Sequence, residues 1–406
     1  MANQGATFRP DTTEGVRELV AWAAAEATPL EILGHGTKRS VGRAVQAAYT
    51  LDLAALSGIT LYEPEELVLS AKAGTPVAEI EALLSEHGQE LPFEPMDHGP
   101  IGGGAAGRGT IGGIVAGNVS GPRRIKAGAA RDHVLGVTAV SGRGEVFKAG
   151  GRVVKNVTGY DLARGLAGSW GTLAVMTEIT VKVLPRPEAT ATLVIRGLAD
   201  GEAVRTLCAA MGSPYEVSGA AHLPSAAAEA AGLPGRRAAT CLRLEGFAPS
   251  VAYRLERLAA LLSGLGGAER LEGAPSAALW RAIRDAAPFA GSDAPLWRAS
   301  VAPMAGPALV SALEGHALSH FYDWSGGLVW IEAGSGIGDG GAAPVRAAVA
   351  ATGGGHATLV RGDAAVRAAI EPFQTQPAAL AALSRRLKAQ FDPAGILNPG
   401  RMPAAN

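Results

Sequence analysis

Cysteine is nearly absent: Cys208 and Cys241 are the only two in 406 residues, and neither belongs to a CxxC pair. That excludes a disulfide framework, an iron–sulfur cluster and a cysteine-rich zinc site within this chain, and a reducing cytoplasm fits best. A charge of one sign is lacking too. Lys and Arg total 36 against 37 Asp and Glu, which leaves no basic footprint for nucleic acid and no acidic solvating tail. No apolar run is long enough to span a bilayer, and MANQGATFRPDTTEG at the start has neither a basic n-region nor an apolar h-region. Any membrane association is therefore expected to come through a partner. No Gly-Lys pair occurs anywhere, so a P-loop is excluded.

The chain does have enough apolar residues, 48% of the total, to bury a sizeable core in two or more domains. Asp11 and Thr12 offer N-caps to a helix near 14–27, with Val16, Leu19, Val20 and Ala23 on one face. LEILGHGTKRS reads as strand, tight glycine turn and basic residues. Short strands are expected near 50–53 and 67–72, and then a helix to about His87 with Thr75 as N-cap and Pro76 at N1. Residues 92–109, PFEPMDHGPIGGGAAGRG, are too rich in Pro and Gly for regular structure and form a long loop. After Pro185 and Pro187 the pattern changes. Strand-like TLVIRGL and ATCLRLEGF alternate with helix-like GEAVRTLCAAM and VAYRLERLAALLSGL up to about residue 360, which predicts an antiparallel sheet covered by helices. PAALAALSRRLKAQF is a closing helix, stopped by Asp392 and Pro393, and a loop is expected at 334–344.

The densest signal runs from Thr110 to Pro185. Glycines at 112, 113, 117, 121, 128, 159, 168 and 171 interrupt β-branched stretches, letting backbone approach a flat ligand with no Cβ between them. Gly34 to Lys38, directly after a strand, can form an anion-binding concavity, with Thr37 and Lys38 adding a hydroxyl and a positive charge suited to a pyrophosphate; a tight turn with solvated basic residues is the alternative. Two overlapping GxGxxG matches, at 102, 104, 107 and at 107, 109, 112, invite a dinucleotide-fold reading, with Asp132 about twenty residues on. The context defeats it, because the preceding PFEPMDHGPI is loop and the fingerprint must follow a strand and open a helix.

TIGGIVAGNVSGPRR, GAARDHVLGV, VVKNVTGYDLARGLAGSWGTLAVMTEI and the ending FDPAGILNPGR together resemble the FAD-binding half of the vanillyl-alcohol oxidase and PCMH-type flavoproteins. EPEELVLSAKAGTPVAEIEALLSEHGQELPFEP and YDWSGGLVW further resemble the smaller FAD-binding subunits of bacterial glycolate oxidases. The resemblance implies an α+β fold: a two-lobed PCMH-type FAD-binding domain over 1–186, an α/β cap or substrate domain with an antiparallel sheet over 187–365, and a C-terminal helical segment over 366–406 packing back on the first. It implies non-covalent FAD held at the pyrophosphate by Gly34, His35, Gly36, Thr37 and Lys38. Thr110, Gly112, Gly113, Asn118, Ser120 and Gly121 would contact the flavin and its ribityl chain. Asp132, Gly168, Gly171, Thr172, Val175 and Ile179 would close the other side. A small 2-hydroxy acid such as glycolate or a D-lactate-like compound is the implied substrate. A second, catalytic FAD subunit and an iron–sulfur subunit are the implied partners. A stand-alone dehydrogenase and an assembly subunit with a vestigial flavin site are the alternatives.

One departure bears on catalysis. The larger subunits of this type carry a His-rich metal motif containing GDGN, whereas this chain has only GSGIGDGG at 334–341 without flanking histidines, so no metal site is expected. No His, Tyr or carboxylate stands out as a catalytic base. His316 and His320 are either a metal pair on one helix face or ordinary helix-end histidines. His35 is either a flavin tether or an incidental imidazole. Arg123, Arg124 and Lys126 are ligands for a carboxylate or the flavin phosphates, a solvated face, or a subunit contact. Trp170 is expected to pack under the flavin sheet, and Trp324 and Trp330 in the core of the second domain.

Overall fold

The computed structural model describes residues 5–152, 160–334 and 338–402. Helix α1 (Thr13–Ala25) starts where Thr12 accepts a hydrogen bond from the Gly15 amide, and it buries Val16, Val20 and Ala23. It covers strands β1 (Leu30–Leu33) and β2 (Tyr49–Asp52), which pair in parallel, with Thr7–Phe8 on the far side of β2. Strands β3 (Ile59–Glu63) and β4 (Val68–Lys72) lead into α2 (Val77–Glu86). The cap of α2 falls one residue later than expected. Pro76, extended at φ −57° and ψ 136°, holds the N-cap position, and the Thr75 hydroxyl is engaged with the Lys72 and Gly58 carbonyls instead. Residues 92–109 contain one short 3-10 turn at Pro100–Gly102, and α3 (Ile111–Gly117) follows. The nearest preceding strand, Gln89–Glu90, is only two residues long and is separated from that glycine tract by loop, which removes the dinucleotide-fold reading. Strands β5 (Val134–Ser141), β6 (Val146–Gly150) and β7 (Ala174–Lys182) complete an antiparallel sheet of order β3-β4-β7-β5-β6. The expected VVKNVTG segment of the glycine run lies outside the described residues.

The second lobe is one antiparallel sheet of eight strands. In chain order these are β8 (Ala189–Arg196), β9 (Gly219–Leu223), β10 (Ala239–Gly246), β11 (Ala268–Glu272), β12 (Leu296–Ser300), β13 (Ala317–Asp323), β14 (Leu328–Ala333) and β15 (His356–Arg361), arranged β11-β8-β10-β9-β13-β14-β12-β15. Alternation gives it two apolar faces. Leu193, Leu242, Val329 and Ile331 pack outward under α4 (Asp200–Met211), α5 (Ala248–Leu261) and α7 (Ala342–Ala351), while α6 (Gly273–Arg284) lies on the other side. On that other side Val194, Phe321, Trp330 and Val360 join Leu69, Ile111 and Ile114 of the first lobe in one continuous core. The expected loop at 334–344 is shortened, because α7 begins at Ala342.

A buried ionic network fastens the lobes. Arg243 on β10, 2% exposed, donates two hydrogen bonds to Glu94 at 2.8 and 2.9 Å and approaches Glu245 at 3.4 Å. Arg123 pairs with Glu245 at 2.6 Å and with Glu90 at 2.7 Å. Burial would raise the Glu245 carboxyl, but Arg243 and Arg123 outweigh it and hold it near 2. Burial pushes Glu90 up to about 7, with Arg123 opposing. The expectation for Arg123 is thus corrected, since it is neither a solvated charge nor free for a ligand. Arg123 is an interlobe latch, Arg124 stacks on Trp324 of the second lobe, and Lys126 reaches Glu216.

Candidate functional site

At the end of β1 the chain turns through Gly34, His35, Gly36, Thr37 and Lys38, with Gly36 at φ +74°. Gly34 has a steric reason to be bare: a Cβ there would stand 2.6 Å from Oγ1 of Thr110, the residue that caps α3 by accepting from the Gly113 amide. Gly112 is pressed against Ala73, whose carbonyl oxygen would lie 2.7 Å from an added Cβ. The Lys38 ammonium lies over Gly113, and its one hydrogen bond among the described residues is to the Thr37 hydroxyl at 3.4 Å. Burial lowers Lys38 to about 8, with Arg401 contributing and Asp97 opposing.

These residues, with Trp170 and Gly171 at positive φ, Val175 and Met176 on β7, Asn398 and Arg401, line a cleft of about 720 Å³. The far C-terminus finishes its wall. Leu30 and Leu397 form a parallel bridge, Asn398 Oδ1 accepts from the Ile32 amide at 2.7 Å, and its Nδ2 donates to the Trp170 carbonyl at 2.9 Å. The Arg401 guanidinium donates to the Lys38 carbonyl at 2.6 Å and lies 5.5 Å from the Trp170 ring. Its Nε is buried without a partner.

A second cavity shares His35 to Thr37 and continues beneath the 99–108 loop. Asp97 shapes that loop by accepting from Gly99 and Gly107, while its own amide donates to Asp285 of the second lobe. His98 is buried with Nδ1 unpartnered. Burial pushes its imidazole down to about 3, assisted by the charges of Lys38 and Arg298. Trp324 sits at the lobe junction, donating from Nε1 to the Gly121 carbonyl at 3.1 Å, with Arg124 and Arg298 stacked at 4.7 and 4.8 Å from its ring. Trp324 and Ser325 both adopt left-handed backbone, at φ 50° and 59°, a strain that marks a specialised turn. Burial raises the adjoining Asp323 carboxyl to about 7.

Of the residues singled out in the sequence, Gly34, His35, Gly36, Thr37, Lys38, Thr110, Gly112, Gly113, Gly171 and Val175 converge on the cleft. The other seven lie outside its lining. Asn118 ends α3 in left-handed conformation and accepts from the Arg131 amide, Ser120 accepts from Ala130, and Asp132 accepts from Ala129. Gly121 packs on Glu94, Gly168 turns at φ +86°, Thr172 donates to Ser169, and Ile179 is buried in β7. Trp170, expected under a sheet, lines the cleft. Trp324 belongs to the junction rather than to the second core, whereas Trp330 is buried. His316 and His320 share no helix: His316 precedes β13 and His320 lies on it, with Nε2 2.8 Å from Asp200. Asn398 and Arg401 were missed as lining residues. Their only signal in the chain was the ending ILNPGR.

Residues 5–150 match the family described as FAD binding domain, and residues 372–402 match the C-terminal domain of FAD linked oxidases. The whole fold superposes on p-cresol methylhydroxylase with a TM-score of 0.72 at 14% identity, over 98% of this chain and 89% of that one. The protein therefore has the PCMH-type fold and carries an FAD binding domain. It is 36% identical over 396 residues to Glycolate oxidase subunit GlcE of Escherichia coli K12, covering 97% of this chain and 98% of that protein. The chain belongs to the GlcE family. Glycolate oxidase subunit GlcD of Bacillus subtilis is 29% identical over 189 residues, 46% of this chain and 38% of that protein.

Proposed function

We propose that this chain is the FAD-holding subunit of a glycolate oxidase, in which glycolate becomes glyoxylate and electrons leave through flavin to an acceptor. The near full-length match to GlcE carries the reading. The cleft fits the cofactor on its own terms. Gly34, Gly112, Gly113 and Gly171 expose backbone, while Lys38 and the unpartnered Arg401 Nε bring two buried cations suited to a diphosphate. Bound FAD supplies the hydride acceptor; the protein binds, orients and encloses. Arg298 has no carboxylate within salt-bridge distance among the described residues, and Arg124 shares its indole platform. Together they give the junction a cationic character that would hold a 2-hydroxy carboxylate. Gly121, whose carbonyl accepts from Trp324, borders this junction rather than the cleft, so we assign it to the junction's floor.

The subunit reading extends to a second FAD-linked chain resembling GlcD, which oxidises the substrate, and an iron–sulfur chain that takes the electrons. Among the described residues no helix is long and apolar enough to cross a membrane, and attachment to one would run through those partners. Purifying the chain alone tests the reading. FAD retained without bleaching by glycolate until the partner chains are added is the expected result. Bleaching by the isolated chain would make it a stand-alone dehydrogenase. A colourless protein that takes up no FAD in a fluorescence-quenching titration would leave the site vestigial. The flavin is held without a covalent bond, so acid precipitation should leave a colourless pellet.

A further inference from the structure

Helix α8 (Ala378–Phe391) is turned inside out compared with an ordinary surface helix. Leu380, Leu383 and Leu387 form one stripe and are 48%, 53% and 42% exposed, and no residue of the helix is buried. The half-buried positions are Ala381, Ala382, Ser384, Lys388 and Phe391. Attachment is local and largely polar: Lys388 donates to the Thr172 and Leu397 carbonyls and pairs with Asp392, while Phe391 packs on Phe147 at 5.8 Å. Phe147 belongs to β6, the edge strand of its sheet, where Val146 is 42% exposed. The β5–β6 turn is tied to the end of the helix, with Gly142 N donating to the Phe391 carbonyl at 2.9 Å and Arg143 Nε to that of Gln390 at 3.2 Å. A single exposed leucine is ordinary; three in a stripe, on a helix that packs on a sheet edge with no partner strand among the described residues, mark an interaction surface.

Charge selects the occupant. Helix α8 contains no acidic residue and exposes Arg386, and the turn tied to its end exposes Arg143 along with Glu145. Two copies of this face would set like charges against each other. We propose that α8 and the β6 edge dock a different chain, one that offers an apolar groove to Leu380, Leu383 and Leu387 and carboxylates at its rim. This rests on reading the protein as one subunit of an assembly.

The test uses the full chain loaded with FAD and the GlcD-type flavoprotein from the same source organism, with association measured by size exclusion and by surface-plasmon titration. Joint Leu383→Glu and Leu387→Glu substitution is expected to weaken association roughly tenfold or more, with FAD content and circular dichroism unchanged. Should the glutamates disturb folding, Leu383→Ser with Leu387→Ser gives the same readout. Arg386→Glu should also weaken association and flatten its salt dependence. Wild-type association that the double variant leaves unchanged overturns the docking surface and spares the subunit reading. A wild-type chain that does not associate overturns both. A homodimer of the chain alone that the leucine variants dissociate makes a second copy the occupant and overturns the charge argument.

Discussion

Replacing Arg243 with methionine removes one of the two guanidinium groups that Glu94 and Glu245 share at the lobe junction, the other being Arg123, while keeping most of the side-chain volume. Arg243 is 2% exposed, donates to Glu94 at 2.8 and 2.9 Å, and stacks 4.6 Å from the Trp280 ring. Arg123 would remain as the only guanidinium for Glu90, Glu94 and Glu245. Stripping a buried pair of one partner costs about 3–5 kcal/mol, because the other charge stays desolvated. An unfolding entropy of about 2.1 cal/mol/K per residue over 406 residues gives about 0.85 kcal/mol per degree. The expected fall in melting temperature is therefore about 4–6 °C. Differential scanning calorimetry of the FAD-loaded chain measures it, and the joint replacement of Arg243 and Glu94 by Met and Gln should recover part of the loss. A variant that melts within a degree of wild type would refute the latch.

The same network makes stability depend on pH. Glu90 titrates near 7 in the folded chain, above its ordinary 4.5, so the folded state holds the proton more tightly. Its contribution is complete below about 4.5 and is lost as pH rises through about 7; Glu90→Gln should flatten that decline in chemical denaturation at pH 5, 7 and 8. Lys38 titrates near 8 before an anion binds, so FAD affinity should fall as pH rises through 8, and Lys38→Met should weaken binding roughly ten- to hundredfold, read by fluorescence quenching. Gly34→Ala drives a methyl against the Thr110 hydroxyl at 2.6 Å and should destabilise by about 1–3 kcal/mol. Unchanged melting there would mean that α3 shifts freely.

Local physics made much of the fold legible. Thr12 and the spacing of Val16, Val20 and Ala23 define α1 within the chain itself, and alternation after Pro187 foretells the antiparallel sheet. Gly34 to Lys38 and Gly112 to Gly113 were readable because bare backbone next to a hydroxyl and an ammonium has few other uses. The failures are long-range. Arg123 looks like a surface charge until Glu245, 122 residues on, comes to meet it. His320 reads as helical until β13 sets it beside Asp200. Trp324 reads as core until its indole N–H finds Gly121. Thr75 would cap α2, except that its hydroxyl has already turned back to Lys72.

Asn398 and Leu397 join β1 across 366 residues of chain, with Leu30 N donating to Ile396 O and Asn398 N to Leu30 O. The cleft is therefore completed by backbone from the opposite end of the described chain. The first part of the chain supplies α1, the glycine turn and α3, yet Arg401 over Trp170 and the strand-like edge along β1 come only from the segment at 396–401. The cofactor site thus depends on backbone brought together from far apart in the chain, and a truncation before Ile396 would present an open edge of β1 and half a binding site.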